Sequence, residues 1–178
     1  ACSIADVINN DKDISSLIRF VFLPNYSVSM AEIIVSGADI TEQISLAGTE
    51  ASGTSNMKFT LNGAIIIGTM DGANIEIAKE VGEEQLFIFG TRFEGVEAAK
   101  NHMRTTPYEE YFPPELQEAI AEIRSGLLGN PSEFDEVLNS FTNHNDWYLL
   151  GADFADYLRA QDDVDACWRD QAAWTARS

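Results

Sequence analysis

Ala64-Ile-Ile-Ile67 and Leu86-Phe-Ile-Phe89 are two short apolar runs, and a stretch with helical spacing from Asn74 to Glu80 separates them. Runs of this length, rich in branched and aromatic residues, are typical of buried strands. Upstream, Leu17-Ile-Arg-Phe-Val-Phe-Leu23 predicts another strand, and Ser29 to Val35 predicts another helix. Because strands alternate with helices, this part of the chain is expected to form an α/β fold, a parallel sheet with helices on its faces.

The pattern changes after about Thr91, where the apolar residues begin to recur at helical spacing. They are Leu116, Ile120, Ile123 and Leu127, followed by Phe134, Val137, Leu138 and Phe141. Prolines interrupt this helical pattern at Pro107, Pro113, Pro114 and Pro131. No Gly/Ser linker precedes the helical part. We therefore predict one domain overall, in which a helical segment, residues 91–178, packs on a partial α/β segment, residues 1–90.

Composition bounds the class of protein. The chain has 178 residues, 45% of them apolar, which is enough for one domain to bury a core. Its longest apolar run, Ala64 to Thr69, is far shorter than the roughly 20 residues of a membrane-spanning helix, so no membrane span is predicted. A formal net charge of -18 argues against binding to nucleic acid or to anionic lipid. Cys2 and Cys167 lie far apart and outside any metal-ligand pattern, which indicates a reduced, cytoplasmic protein without a metal site.

Three other features are interpreted as structural. Asp71-Gly72 is a turn signal ahead of the helix that contains Asn74. The region from Asp153 to Asp170 has six aspartates and two arginines, which predicts a solvated helical face. His102 and His144 have no carboxylate or cysteine partner at a diagnostic spacing.

The candidate functional residues lie in one segment, Thr49-Glu-Ala-Ser-Gly-Thr-Ser-Asn-Met-Lys-Phe-Thr-Leu-Asn-Gly63. Lys58 is the only charged residue between Glu50 and Asp71 in a chain that is 22% charged. A lysine among small and apolar neighbours is expected to be partly desolvated, which favours its neutral form and Schiff-base formation with a carbonyl. The preceding residues 52–55, Ser-Gly-Thr-Ser, have the composition of a tight turn that leads into a short helix.

The start of that helix is a candidate phosphate site. Backbone N–H groups there, with the hydroxyls of Thr54 and Ser55, suit an anion. Lys58 follows Thr54 by four residues, so the two side chains share one helical face. A small phosphate ester that bears an aldehyde satisfies both ends, and pyridoxal phosphate is such a ligand. Spacing alone favours the competing interpretation, an ordinary turn with a lysine that extends into solvent.

Two further residues have open interpretations. Glu50 is either a catalytic or ligand-binding carboxylate or a favourable charge near a helix N-terminus, and spacing alone favours the second. Tyr26 follows the strand predicted to end at Leu23, so it is expected near the carboxyl-end crevice in which α/β sheets bind ligands. A surface tyrosine in a loop is the alternative.

A family resemblance covers essentially the whole chain. Glu50-Ala-Ser-Gly-Thr-Ser-Asn-Met-Lys-Phe59, Asn62-Gly63 and Gly68-Thr-Met-Asp-Gly-Ala-Asn-Ile-Glu76 together resemble the signature of the glycogen and starch α-glucan phosphorylases. The flanking stretches Val21-Phe-Leu-Pro-Asn-Tyr-Ser-Val-Ser29 and Gly37-Ala-Asp-Ile-Thr-Glu-Gln-Ile-Ser45 agree with it. The resemblance implies part of the C-terminal, Rossmann-like domain of a GT-B type glycosyltransferase.

The activity implied by the resemblance is phosphorolysis of the terminal α-1,4 bond of a glucan by inorganic phosphate, which releases glucose 1-phosphate. The lysine that matches Lys58 holds pyridoxal 5'-phosphate in that family, and the cofactor works through its own phosphate group as an acid and base. Lys58 is therefore the candidate catalytic residue.

The resemblance also implies roles for residues around Lys58. Those expected to bind the cofactor are Gly53, Thr54, Ser55, Tyr26 and Val28. Those expected to bind the glucosyl unit are Glu50, Ala51, Ser52 and Gly53. Two positions depart from the family pattern: Ser27 stands where animal members carry arginine, and Ser55 stands where many members have glycine.

Family enzymes exceed 800 residues and form homodimers, whereas this chain resembles one part of their C-terminal domain. We expect either a fragment of a working phosphorylase, packed on the rest of its chain, or a phosphorylase-derived, non-catalytic subunit that packs on other proteins. Its 178 residues alone are not expected to turn over substrate. The cytoplasm is the expected compartment, with a plastid or another organelle as the alternative.

Overall fold

A computed structural model describes residues 1–143 and 146–178, so His144 lies outside the described residues. The strands are β1 (Ile40–Gln43), β2 (Ile65–Gly68) and β3 (Phe87–Ile88). The helices are α1 (Cys2–Asn10), α2 (Val28–Gly37), α3 (Ser55–Thr60), α4 (Ala73–Val81), α5 (Phe93–Thr105), α6 (Tyr108–Tyr111), α7 (Pro114–Ser125), α8 (Asp135–Thr142), α9 (Leu150–Arg169) and α10 (Gln171–Arg177). No helix of these residues is long and apolar enough to cross a membrane.

The three strands form a small parallel sheet in the order β1-β2-β3. β1 pairs with β2 from Ile40 opposite Ile65, and β2 pairs with β3 from Ile67 opposite Phe87. Helix α3 connects β1 to β2, and α4 connects β2 to β3. The predicted α/β class is therefore confirmed, as are the predicted strands near residues 64–67 and 86–89.

Helices cover both faces of the central strand, β2. Successive side chains of a strand point to opposite faces, so neighbouring residues of β2 enter different core clusters. Ile65 and Ile67 pack with Phe87 and with residues of α9 and α10 in one core cluster. Ile66 packs on the other face with Ala78 of α4. β2 is buried along its whole length, which explains its unbroken apolar sequence.

A second core holds the helical part together. Phe112, Leu116, Ile120 and Leu138 form this cluster, and Phe154 of α9 packs against it. Because α9 also packs on the sheet, it belongs to both cores. The prolines lie at the starts of helices, with Pro107 and Pro113 as N-caps and Pro114 as the first residue of α7, where a fixed φ angle is favourable. Two residues of the predicted apolar spacing are exposed instead of buried, Leu127 and Val137.

One predicted strand is wrong. Residues 17–23 form no strand, and their apolar side chains are largely exposed, Leu17 by 81%. A strand needs a neighbour for its backbone hydrogen bonds. Here the N–H and C=O groups of Phe20 instead pair with the side chain of Asn9, at 3.0 and 2.7 Å. The sequence analysis also missed β1, whose four residues carry a mixed polar and apolar pattern.

The aspartates of α9 fit the predicted solvated face in part. Asp156 and Asp163 each pair with Arg159 at 2.6 Å near the surface. Asp153 does not fit, because it is half-buried where the start of α9 meets the end of the sheet. Its Oδ1 accepts hydrogen bonds from the N–H (2.9 Å) and the hydroxyl (2.6 Å) of Thr91.

These environments shift the two pKa values in opposite directions. Burial raises the pKa of Asp153 and the charge of Asp156 adds to the rise, while hydrogen bonds from Thr91 oppose it. Burial of Asp156 alone would raise its pKa. Hydrogen bonds from Arg159 and from the Gly90 N–H have the larger, opposite effect, so the pKa of Asp156 is lowered.

We expect the free energy of unfolding to fall as pH rises through the pKa of Asp153, and we expect Asp153→Asn to abolish this fall. Between the ordinary carboxyl pKa of about 4 and the raised value, folded Asp153 keeps a proton that the unfolded chain has released. Its contribution to the free energy of unfolding therefore falls as pH increases through that window. Urea denaturation of both proteins across the acidic range measures this slope.

Asp156→Asn is the matched control, with the opposite sign. Because the pKa of Asp156 is lowered, its stabilising contribution is present above the ordinary carboxyl pKa and is lost as pH falls toward the lowered value. Identical pH slopes for the two variants would contradict this assignment.

Close packing between α9 and Phe112 gives a second test. A Cβ atom added to Gly151 would lie 1.7 Å from Cε1 of Phe112. We expect Gly151→Ala to lower the free energy of unfolding by about 1–3 kcal/mol, since overpacking forces side chains to move. Gly37→Ala is the control, because nothing lies within 4 Å of its added Cβ. Equal effects of the two changes on denaturant midpoints would refute the close contact.

Candidate functional site

Lys58 lies on α3, the short helix that contacts both β1 and β2. Asn56 of this helix is buried, and its Nδ2 donates to Oδ1 of Asn74 at 2.9 Å. Lys58 follows Asn56 by two residues, so it lies about 200° around the helix and is exposed. The expected partial desolvation of Lys58 is therefore wrong for this chain, because Asn56 occupies the buried face.

Thr54 and Lys58 lie one helical turn apart at the start of α3, as helical periodicity predicts. The N–H of Lys58 donates to the carbonyl oxygen of Thr54 at 3.2 Å, and both residues are exposed. Thr54 is the N-cap of α3, but its hydroxyl makes no capping hydrogen bond. Gly53, with φ of +80°, makes the turn ahead of it. The hydroxyl of Ser55 lies 3.3 Å from Nε2 of Gln43, at the end of β1.

A buried carboxylate fixes the loop that precedes Gly53. Oδ1 of Asp71 accepts from the N–H of Gly48 at 2.8 Å. Oδ2 accepts from the N–H groups of Thr49 and Glu50, at 3.3 and 2.8 Å. Asp71 follows β2 closely, so these bonds attach the loop to the central strand. The sequence indicates only a turn at Asp71, and this positioning role has no sequence signal.

Gly72 allows the loop to approach the start of α4. A Cβ there would lie 2.6 Å from the carbonyl oxygen of Ser52 and 2.9 Å from Cγ of Glu50. With its φ of +50°, the position favours glycine over other residues. The N–H of Ala73 donates to the same Ser52 carbonyl at 2.5 Å. The turn predicted at Asp71-Gly72 is confirmed. It also contacts the loop that contains Glu50 and Ser52, two of the residues expected to bind the glucosyl unit.

The side chains of this loop are open to solvent. Glu50, Ala51 and Ser52 are exposed, and Glu50 Oε1 accepts a long hydrogen bond of 3.4 Å from the N–H of Ser52. Among the described residues, neither Glu50 nor Lys58 takes part in an ion pair. Both therefore keep their hydrogen-bonding capacity for a ligand.

Tyr26 and Val28 lie at the start of α2, which contacts α3. Both are exposed, Val28 by 80%. Tyr26 was expected beside the end of a strand, and that placement is wrong because residues 17–23 form no strand. Ser27 is the N-cap of α2, and its hydroxyl accepts from the N–H of Met30 at 3.4 Å.

The whole chain is similar to known proteins. A family model described as carbohydrate phosphorylase matches residues 1–178. The chain belongs to the carbohydrate phosphorylase family. Glycogen phosphorylase 2 of Dictyostelium discoideum is 45% identical to this phosphorylase chain over 178 residues. Glycogen phosphorylase of Pasteurella multocida is 48% identical over 174 residues, and the human muscle form is 46% identical over 177.

The match covers 96–99% of the chain and 18–21% of each relative. The phosphorylase chain therefore spans about a fifth of the length of these curated relatives. The family is one of carbohydrate metabolism, and the small parallel sheet flanked by helices agrees with part of a phosphorylase domain.

Removal of the Asp71 carboxylate tests the loop anchor. We expect Asp71→Ala to lower the free energy of unfolding by about 1–3 kcal/mol, because backbone N–H groups lose their buried acceptor. Asp162→Ala removes an exposed carboxylate of α9 and is expected to change stability by less than about 0.5 kcal/mol. Chemical denaturation provides the comparison. Faster amide exchange at residues 48–50 in Asp71→Ala alone would locate the effect, and unchanged exchange there would contradict it.

Proposed function

We propose that this chain supplies the cofactor lysine and the sugar-contact loop of an α-1,4-glucan phosphorylase. The enzyme would use inorganic phosphate to cleave terminal α-1,4-glucosyl units and release glucose 1-phosphate. The observation that supports this most directly is the arrangement around α3, where Thr54 and Lys58 share an exposed face beside the loop of Glu50. Membership of the carbohydrate phosphorylase family supports it independently.

The residues present fit pyridoxal 5'-phosphate. Lys58 is accessible for a covalent bond to an aldehyde, and the hydroxyl of Thr54, which makes no capping hydrogen bond, lies one helical turn away. Gly53 and Ser55 complete the proposed contact with the phosphate group. When bound, the cofactor supplies a phosphate that titrates near neutrality and so suits proton transfer.

The loop at residues 50–53 would hold the glucosyl unit. Glu50 would accept hydrogen bonds from sugar hydroxyls, while Ala51, Ser52 and Gly53 would line the pocket. Asp71 acts on this loop as a positioning residue, because its carboxylate holds the backbone of Glu50 without reaching the proposed ligand. The loop is thus fixed before substrate binds, which lowers the entropic cost of binding.

Exposed apolar residues near α2 support docking to the rest of a longer phosphorylase. Leu17, Val21, Val28 and Leu61 all have relative exposures above 60%. Several large apolar side chains with such high exposure are typical of an interface. The remainder of the phosphorylase chain, in a homodimer of the whole enzyme, is the proposed partner. Two free cysteines favour the cytoplasm as its compartment, and a plastid or another organelle is the alternative.

A phosphorylase-derived, non-catalytic subunit is the second candidate. The observation that favours it is the exposure of Lys58, which lacks the desolvated environment of an activated lysine. In the first candidate, other parts of the enzyme would cover this face of α3.

Borohydride trapping tests the cofactor site. The native protein is incubated with pyridoxal phosphate, reduced and digested, and its four lysines are compared by peptide mapping. We expect phosphopyridoxyl on Lys58 at cofactor concentrations that leave Lys79 unlabelled, because both are exposed but only Lys58 has the Thr54 turn. Thr54→Ala should weaken labelling of Lys58 without affecting the background at Lys79.

Equal labelling of Lys58 and Lys79 would show ordinary surface reactivity and would overturn the cofactor assignment. The size of the native polypeptide separates the two candidate functions. Peptides of this chain within a much larger polypeptide support the enzyme, and stable co-purification of a 19.6 kDa species with unrelated subunits supports the second candidate.

A further inference from the structure

A cavity of about 470 Å³ lies between the carboxyl ends of the three strands and the first half of α9. Ile44, Thr69 and Phe89 line it, and each directly follows the last residue of its strand. Carboxyl ends of parallel strands are a frequent place for ligands in α/β folds. None of the residues assigned above to the cofactor or the glucosyl unit lines this cavity.

Glu42 forms one side of the cavity and is held by α9. Its Oε1 accepts from the hydroxyl of Tyr157 at 2.9 Å and from Nε2 of Gln161 at 3.0 Å. Nε2 of Gln161 also donates to the hydroxyl of Tyr157 at 2.8 Å. These bonds fix the carboxylate through one oxygen, and within the described residues Oε2 has no hydrogen-bond donor.

Asp153 also lines the cavity and lies one helical turn before Tyr157 on the same face of α9. The N–H and hydroxyl of Thr91 hold its Oδ1. The donors to Glu42 and to Asp153 are all neutral, so neither negative charge is compensated. Burial raises the pKa of Asp153, because partial burial disfavours the charged carboxylate.

Aromatic rings form much of the remaining wall. The ring of Tyr157 packs edge-on against Phe89, with centroids 5.1 Å apart, and tilted against Phe154, with centroids 6.3 Å apart. Tyr148 also lines the cavity. Aromatic faces attract cations, and the attraction increases when water is excluded.

We propose that this cavity binds an organic cation with an apolar body and one ammonium group. The ammonium group would lie between the free oxygens of Glu42 and Asp153, and the apolar body would contact the aromatic wall. No lysine, arginine or histidine among the described residues lines the cavity to compete with it. Asp153 is half-buried, and a partly desolvated carboxylate without a counter-charge is costly, so a cation beside it would be stabilised. Glu42 is exposed and would add a second negative charge.

A neutral sugar fits the cavity less well, although relatives of the chain are glycogen phosphorylases. Three hydroxyls of the wall are already used: Thr49 donates to Leu46, Thr69 to Ser45, and Tyr157 to Glu42. Most of the remaining wall is apolar, so several sugar hydroxyls would lose water without gaining a partner. The proposal for this cavity is therefore independent of the glucan-phosphorylase proposal.

Isothermal titration calorimetry of the full chain tests the cation site with three probes. They are phenethylammonium chloride, the nearly isosteric neutral phenethyl alcohol, and maltose. We expect phenethylammonium to bind about tenfold or more tightly than phenethyl alcohol, because only the cation meets the carboxylates. Maltose should give no competing signal.

Charge-neutralising variants assign the effect to the cavity. Glu42→Gln and Asp153→Asn should each weaken phenethylammonium binding by about threefold to tenfold and leave phenethyl alcohol unchanged. Asp162→Asn changes the net charge equally on the exposed side of α9 and should leave both affinities unchanged. Circular dichroism melting confirms that each variant is folded.

Three results would overturn the proposal, and all can be obtained on the unsubstituted chain. Equal affinity for the charged and neutral probes would show an apolar cavity without charge recognition. Displacement of phenethylammonium by maltose would identify a saccharide site. Absence of any phenethylammonium binding would exclude the cation site. Because none of these experiments uses pyridoxal phosphate, their failure is distinct from failure of the cofactor assignment.

Discussion

The buried carboxylate of Asp71 is the constraint on which the candidate site depends. It accepts hydrogen bonds from the backbone N–H groups of Gly48, Thr49 and Glu50. The neighbouring Gly72 lets the loop lie against α4. Since Asp71 closely follows the central strand, the geometry of the sheet is transmitted to the loop through a few short hydrogen bonds. The position of Glu50 relative to Lys58 is therefore a property of the sheet as well as of the loop.

Much of the fold could be predicted because its determinants are local. The apolar run at residues 64–67 is a strand that is buried on both faces, and such strands need unbroken apolar sequence. Residues 17–23 have a similar composition, yet they form no strand, because strand formation also requires a neighbour that local sequence does not specify. β1 could not be predicted because its mixed polar and apolar sequence gives no strand signal. It forms a strand by pairing with β2.

The residue types of the candidate site could be predicted from the sequence, but their burial and contacts could not. The shared face of Thr54 and Lys58 follows from helical periodicity, and the structure contains it. The exposure of Lys58 depends on which face of α3 meets the sheet, and the buried pair of Asn56 with Asn74 decides this. The role of Asp71 was missed because its partners lie 21–23 residues away and are backbone groups, which carry no sequence signal.

The length of α3 has a consequence for the energetics of ligand binding. A six-residue helix is not stable in isolation, so α3 persists through its contacts with β1, β2 and the Asn56–Asn74 pair. The amine of Lys58 is then correctly placed only while the sheet is folded. A ligand held by that amine together with the Thr54 turn binds the folded state more tightly than the unfolded chain, and by linkage this difference adds to the thermodynamic stability of the sheet.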